Sequence, residues 1–211
     1  MILWNKEDLN YMEEVITLNQ VIETMIKRRS IRKYKQDQIS DEELAAILDA
    51  GVYAPSGGNN QTSHIIVIQN KEALEKIKHL VKQEFSKMEI VPGMYKSMEN
   101  SIRASQKGDY DFFYNAPTLI IVANQKGYGN AMADCACVLE NMMIAAASLK
   151  VGSCWINQLR WLDENSEIRN KLYEFGLLEN ETVCGGLSLG YPNMTVPEPL
   201  KRTGNLITYI R

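Results

Sequence analysis

Histidine is almost missing from this chain of 211 residues: His64 and His79 are the only two, and none follows them. Cysteine is sparse as well, with Cys135, Cys137, Cys154 and Cys184 each set in an apolar segment. Cys135 and Cys137 make a C-x-C without a second pair, so no zinc site and no other metal site is expected. The four thiols read as reduced core residues. Long apolar runs are absent; the strongest, Met142 to Leu149, falls far short of the about 20 residues that cross a bilayer. Residues 1–20 contain Glu7, Asp8, Glu13 and Glu14 and no apolar signal core, which predicts a cytoplasmic protein with no membrane partner. A basic excess is missing too: 26 acidic residues face 23 basic ones, for a net charge of −3. A generally nucleic-acid-binding surface is thereby excluded. With 45% hydrophobic residues and no polar low-complexity tract, so is a disordered chain.

What is present is uneven. Lys27, Arg28, Arg29, Arg32, Lys33 and Lys35 crowd one short segment that holds no acid, leaving the rest of the chain at −9. Around that segment, helices and strands alternate. Val21, Ile22, Met25 and Ile26 mark a short amphipathic helix ending near Arg29. Ser40 and Glu43 form a capping box, with Gly51 at the expected helix end. Residues 65–68, 119–123, 153–156 and 183–189 read as strands, and 206–210 as a last short one. Helices are expected near 72–85 and 164–174, and a long core helix, rich in Ala and Met, over 130–150. The uneven stretch 92–114 reads as a mobile insertion or lid. Residues 1–20 form an amino-terminal extension to a single domain over 21–211. The fold class expected is α+β, close to α/β, with a central mixed sheet flanked by helices.

Three glycine motifs need weighing. Gly186-Leu-Ser188-Leu-Gly190 matches a hydrolase nucleophile elbow, but no histidine follows to act as base, so a strand ending in a turn is the better reading. Gly127-Tyr-Gly129 follows a strand and opens a helix, as in dinucleotide-binding folds. Met132 replaces the third glycine, and no acid ends a second strand about 20 residues on. A Rossmann-type NAD-binding dehydrogenase stays open as an alternative. The third motif, Ala54 to Gln61, is by itself a polar turn. Gly57 and Gly58 could let the backbone approach a planar ligand, with Asn59 and Gln61 bonding a heterocycle edge.

The basic run has a plain reading, a solvated helix end where cations suit the dipole. A non-catalytic interaction protein using residues 27–35 as a basic surface is a further alternative. Ser30 between Arg29 and Arg32 argues for more. Guanidinium forks and a hydroxyl together make a phosphate cradle.

Taken with the other blocks, Arg28-Arg29-Ser30-Ile31-Arg32-Lys33-Tyr34 resembles the phosphate motif of the FMN-dependent nitroreductase family. Residues 54–61 resemble its second loop, 141–156 its central helix and following strand, and 185–192 its late strand and turn. The blocks occur in family order and cover about Val21 to the carboxyl end. The resemblance implies a nitroreductase-like fold and a homodimer with FMN at the interface. Arg28, Arg29 and Ser30 would hold the phosphate and ribityl chain, and Arg32 would sit near the pyrimidine edge, able to stabilise charge at flavin N1. Pro55, Ser56, Gly57 and Asn59 match the loop that reaches the flavin from the partner subunit. Ile156, Asn157 and Gln158 match the segment facing the isoalloxazine, and Lys201 and Arg202 match further phosphate-binding positions. Two departures stand out: Thr62-Ser63 replace the family's usual Pro and aromatic residue after Gln61, and residues 1–20 lie outside the resemblance.

The chemistry implied is ping-pong hydride transfer from NADH or NADPH through flavin N5 to an electron-poor small-molecule acceptor, such as a nitroaromatic or a quinone. No side chain is expected as nucleophile or general base. Tyr95, Tyr110, Phe112 or Phe113 in the lid would stack on the acceptor.

Overall fold

The computed structural model describes residues 19–211. The amino-terminal extension, apart from its last two residues, lies outside them.

Helix α1 (Gln20–Lys27) begins where the Asn19 side chain accepts hydrogen bonds from the amides of Val21 and Ile22, both at 3.1 Å. Its apolar stripe forms as expected but is left uncovered by the other described residues, with Val21 58% and Met25 50% exposed. Helix α2 (Asp41–Val52) starts at the capping box: Ser40 Oγ accepts from the Glu43 amide at 3.2 Å, and Glu43 Oε2 accepts from the Ser40 amide at 3.1 Å. Gly51 is not its cap. It lies inside the last turn, where a Cβ would come 2.8 Å from Met142 Cγ, so glycine there sets how closely two helices approach.

The remaining elements are β1 (His64–Ile68), α3 (Lys71–Ser86), α4 (Lys96–Lys107), β2 (Thr118–Gln125), α5 (Ala131–Ser148), β3 (Gly152–Ile156), α6 (Gln158–Trp161), α7 (Ser166–Glu174) and β4 (Glu181–Gly190). The sheet order is β1-β2-β4-β3. Every ladder is antiparallel, which corrects the mixed sheet expected. Strands β2 and β3 do point the same way across the α5 crossover, but β4 is inserted between them. The parallel pairing that remains is one bridge, Ser30 to Ser153.

Strand β2 is buried except at Gln125, and its alternate residues feed two cores. Leu119, Ile121 and Ala123 join Leu74, Ile77 and Phe85 of α3, Ile102 of α4 and Leu172 of α7. Ile120 and Val122 join Ile47 of α2 and Leu139, Met142 and Ala146 of α5. The molecule is thus a sheet between two helical layers, each buried Ile or Leu contributing about 1.5–3 kcal/mol. By length and composition α5 could cross a membrane. Its place here is against the sheet, as the core helix.

Two further expectations change. Within residues 92–114, which contain α4, Phe112 and Phe113 are 1% exposed, packed edge to face with centroids 5.0 Å apart. They are core residues and cannot stack on a ligand. Residues 206–210 pair with no strand among the described residues, and Leu206 and Ile210 are each 97% exposed.

Candidate functional site

The basic segment after α1 has no regular structure and is fixed by a few backbone bonds. The Ile31 amide donates to the Ser153 carbonyl at 2.9 Å, the Lys35 amide to Tyr191 at 2.9 Å, and the Asn193 amide to Lys33 at 2.9 Å. Ile31 and Tyr34 are driven into the core, which turns their neighbours outward. Arg28, Arg29, Ser30 and Arg32 then line one cavity of about 420 Å³ with Met194, Pro197 and Arg202. Lys27, Lys33 and Lys35 are exposed elsewhere, so the run splits into a cavity wall and separate surface cations.

Arg29 Nε is buried and has no hydrogen-bond partner among the described residues. A buried donor left unpaired costs about 1–3 kcal/mol, more when charged, so it calls for an acceptor from outside. Arg28 Nε stands 4.0 Å from Glu140 Oε1, too far to occupy its fork. Arg32 Nε donates to the Tyr114 hydroxyl at 3.3 Å, with its guanidinium carbon 5.7 Å from that ring's centroid. Cys154 lies buried behind these groups. Burial pushes its thiol up, and the pull of Arg32 only partly offsets this, so it stays neutral. Of the two carboxyl-end candidates, Arg202 lines the cavity and Lys201 does not.

The loop of residues 54–61 is held from α5. The Gly57 amide donates to Asp134 Oδ1 at 3.0 Å and Oδ2 at 3.2 Å, while the Tyr128 hydroxyl lies 3.0 Å from Oδ2 and 3.2 Å from the Gly57 carbonyl. A Cβ on Gly57 would sit 2.1 Å from Asn130 Nδ2 and 2.7 Å from the Tyr128 hydroxyl, so its small size serves this anchorage. Gly58, Asn59 and Gln61 all have φ between 53° and 60°, with Asn60 right-handed between them, and the Gln61 amide donates to Ser56 Oγ at 3.1 Å. Pro55 and Asn59 point to solvent, and Pro55, Ser56, Gly57 and Asn59 do not line the arginine cavity of their own chain.

At the end of β3, Ile156 is buried. The side chains of Asn157 and Gln158 are spent on holding the turn. Asn157 Oδ1 accepts from Trp155 Nε1 at 2.9 Å, and Gln158 Oε1 accepts from the Asn157 amide at 3.1 Å. Gln158 Nε2 donates to the Tyr110 hydroxyl at 2.8 Å, which in turn donates to Ser101 Oγ at 2.7 Å. Burial raises the Tyr110 phenol to about 12.

Sequence reasoning missed Asp134, Tyr128 and Tyr114. Asp134 carried a readable signal, as the one acid in the first half of an otherwise apolar helix; the other two carried none. The competing motifs resolve. Ser188 is fully buried within β4, two residues before its end, and is not on an exposed elbow. Gly127 and Gly129 follow β2, which is paired antiparallel on both sides, so the parallel strand pair of a dinucleotide fold is missing. His64 Nδ1 lies 2.9 Å from Glu181 Oε2, and His79 is exposed on α3. Among the described residues no group of three His, Cys, Asp or Glu side chains could hold a metal.

An antiparallel sheet packed on a buried crossover helix, with an arginine-lined cavity beside β3, defines an α+β protein with a strongly cationic cleft. Residues 25–191 match the model of the Nitroreductase family, and the chain belongs to that family. An Archaeoglobus fulgidus protein, provisionally named NADH dehydrogenase/NAD(P)H nitroreductase, is 30% identical over 83% of this chain and 87% of its own. A Vibrio harveyi NADPH-flavin oxidoreductase is 25% identical over 83% of this chain and 67% of its own. The crystal structure of a Bacteroides fragilis nitroreductase with bound FMN superposes with a TM-score of 0.82 at 38% identity, over 92% of this chain and all of that one.

Proposed function

We propose that this protein is an NAD(P)H-dependent flavin oxidoreductase that carries FMN and reduces an electron-poor small molecule, a nitroaromatic or a quinone. The observation that carries the reading is the unpartnered, buried Arg29 Nε in a cavity walled by four arginines and Ser30. A phosphate monoester, with about −1.5 to −2 charges and three strong acceptor oxygens, answers that donor set. Family membership and the FMN in the Bacteroides fragilis structure support the same choice.

Arg28, Arg29, Ser30 and Arg202 would hold the phosphate and the ribityl chain, and Arg32 would offset negative charge at the pyrimidine edge. When bound, FMN supplies a hydride carrier charged by NADH or NADPH and discharged to the acceptor in separate half-reactions. The chain's part is binding, orientation and exclusion of water. None of the side chains lining the cavity is a general base.

The functional unit in this reading is a homodimer. The partner subunit would bring its own copy of the 55–59 loop to the flavin, while residues 156–158 face the ring. The exposed Pro55 and Asn59 support this, as do the uncovered apolar side chains of α1 and of residues 206–210. Tyr95, exposed at the start of α4, would contact the acceptor. Four free cysteines suit a reducing cytoplasm.

The test is spectroscopic. The purified protein, or apoprotein reconstituted with FMN, is expected to show flavin absorbance that NADH or NADPH bleaches anaerobically and a nitroaromatic or quinone restores. A protein that cannot be loaded with FMN overturns the proposal.

A further inference from the structure

The buried hydroxyl pair beneath the basic segment has no place in the reading so far. Tyr34 is 6% exposed, and its hydroxyl lies 2.6 Å from the Ile31 carbonyl, 2.9 Å from Ser188 Oγ and 3.4 Å from the Ser188 carbonyl. Ser188 Oγ lies 3.3 Å from the Cys154 carbonyl. A carbonyl can only accept, and Tyr34 has one proton. The shortest contact therefore assigns that proton to Ile31, and Ser188 supplies its own to the phenol oxygen or to Cys154. Burial raises the Tyr34 phenol well above its ordinary value, so the proton is retained.

The peptide unit so held is the one joining Ile31 to Arg32. Ser30 lies on one side of Ile31 and Arg32 on the other, and both line the cavity. The Ile31 side chain is wedged onto the backbone of Gly152, where a Cβ would stand 3.0 Å from its Cβ. On the other side, the Tyr34 ring lies so close to Gly190 that a Cβ there would stand 3.1 Å from Tyr34 Cδ1. With its amide bonded to Ser153, Ile31 is thus fixed through nitrogen, carbonyl and side chain. Strands β3 and β4 set the orientation of the two residues flanking it.

We propose that Tyr34 and Ser188 are positioning residues for Arg32 at the pyrimidine edge of the cofactor site, acting through the Ile31 carbonyl and touching no ligand themselves. The proposal rests on the FMN reading. Without the phenol, the carbonyl of the Ile31–Arg32 peptide would lose its internal donor and one of the three restraints on its orientation. The loss should then fall on the Arg32 contact to the flavin ring, leaving the phosphate contacts of Arg28 and Arg29 intact.

Apoprotein titrated with FMN and, separately, with riboflavin, which has the ring but lacks the phosphate, isolates the ring contacts. Tyr34→Phe is expected to weaken FMN and riboflavin binding by the same factor, about tenfold, the equivalent of one lost hydrogen bond, and to cause no further loss in an Arg32→Met background. Ser188→Ala, which keeps the Tyr34–Ile31 bond, should weaken both ligands by less, and it serves as the variant if Tyr34→Phe does not fold. Unchanged affinity for both flavins in the folded variants, weakening of FMN alone, or a loss that persists in the Arg32→Met background, overturns the positioning role. Failure of the unaltered protein to bind FMN overturns the cofactor reading instead, so the two failures are distinguishable.

Discussion

The amide of Gly57 points at both carboxylate oxygens of Asp134, 77 residues later, at 3.0 and 3.2 Å. The carboxylate is almost fully buried in the first turn of α5, where the helix dipole favours a negative charge, and it also meets the Tyr128 hydroxyl. A left-handed loop that would be strained on its own is thereby pinned to the core helix.

Asp134→Ala should therefore act at a distance from the arginine cavity. Loss of a charged acceptor costs about 1.5–3 kcal/mol, and melting should fall by roughly 2–4 °C for each kcal/mol in a domain of this size. The 55–59 loop should also become more open to limited proteolysis. Unchanged melting and proteolysis would show that the loop holds its shape without Asp134.

Arg29 carries a buried Nε without a partner among the described residues, and in the FMN reading the phosphate supplies one. Arg29→Met keeps much of the stem and removes the fork. It should weaken FMN binding by about 10- to 100-fold, from a charge-assisted contact of about 1.5–3 kcal/mol. Because the buried Nε then no longer lacks an acceptor, the ligand-free variant should be at least as stable as the parent. Fluorescence titration and thermal melting of apoprotein check the two halves separately.

Acid stability should have a contribution at Glu84. Burial alone would raise this carboxyl, but Lys87 and Asn165, whose Nδ2 donates to Glu84 Oε2 at 2.9 Å, outweigh it and hold the group below its ordinary 4.5. Its stabilising effect is complete above that unfolded value and is lost as pH falls through the lower folded one. Glu84→Gln should flatten the fall in stability below pH 4.5 and leave the slope above it unchanged. Urea melts across that range decide the matter; parallel curves for the two proteins would exclude the role.

Legibility of the sequence followed locality. The β2 run, the Ser40–Glu43 box and the length of α5 are written in adjacent residues and came out correctly. The arginine cluster is equally local, and four of its predicted side chains share one cavity with Arg202. What failed to show was set by distant pairing. The insertion of β4 between β2 and β3 makes the sheet antiparallel, and no local pattern encodes it. Gly51 resembles a helix stop because its neighbour Met142 is 91 positions away. Phe112 and Phe113 resemble exposed stacking residues because the turn that buries them has no periodicity. Asp134 reads as one charge on a helix until the loop it serves is folded against it.

The basic segment does a second job for the molecule. Strand β3 ends the sheet, and a bare strand of Gly-Ser-Cys-Trp-Ile would offer its free backbone to any other chain in the cell. The bond from Ile31 to Ser153 lays the arginine-bearing segment along that border as a selvedge. In the FMN reading, edge protection and cofactor binding thus fall on the same few residues, so a change that loosens the grip would also expose the hem.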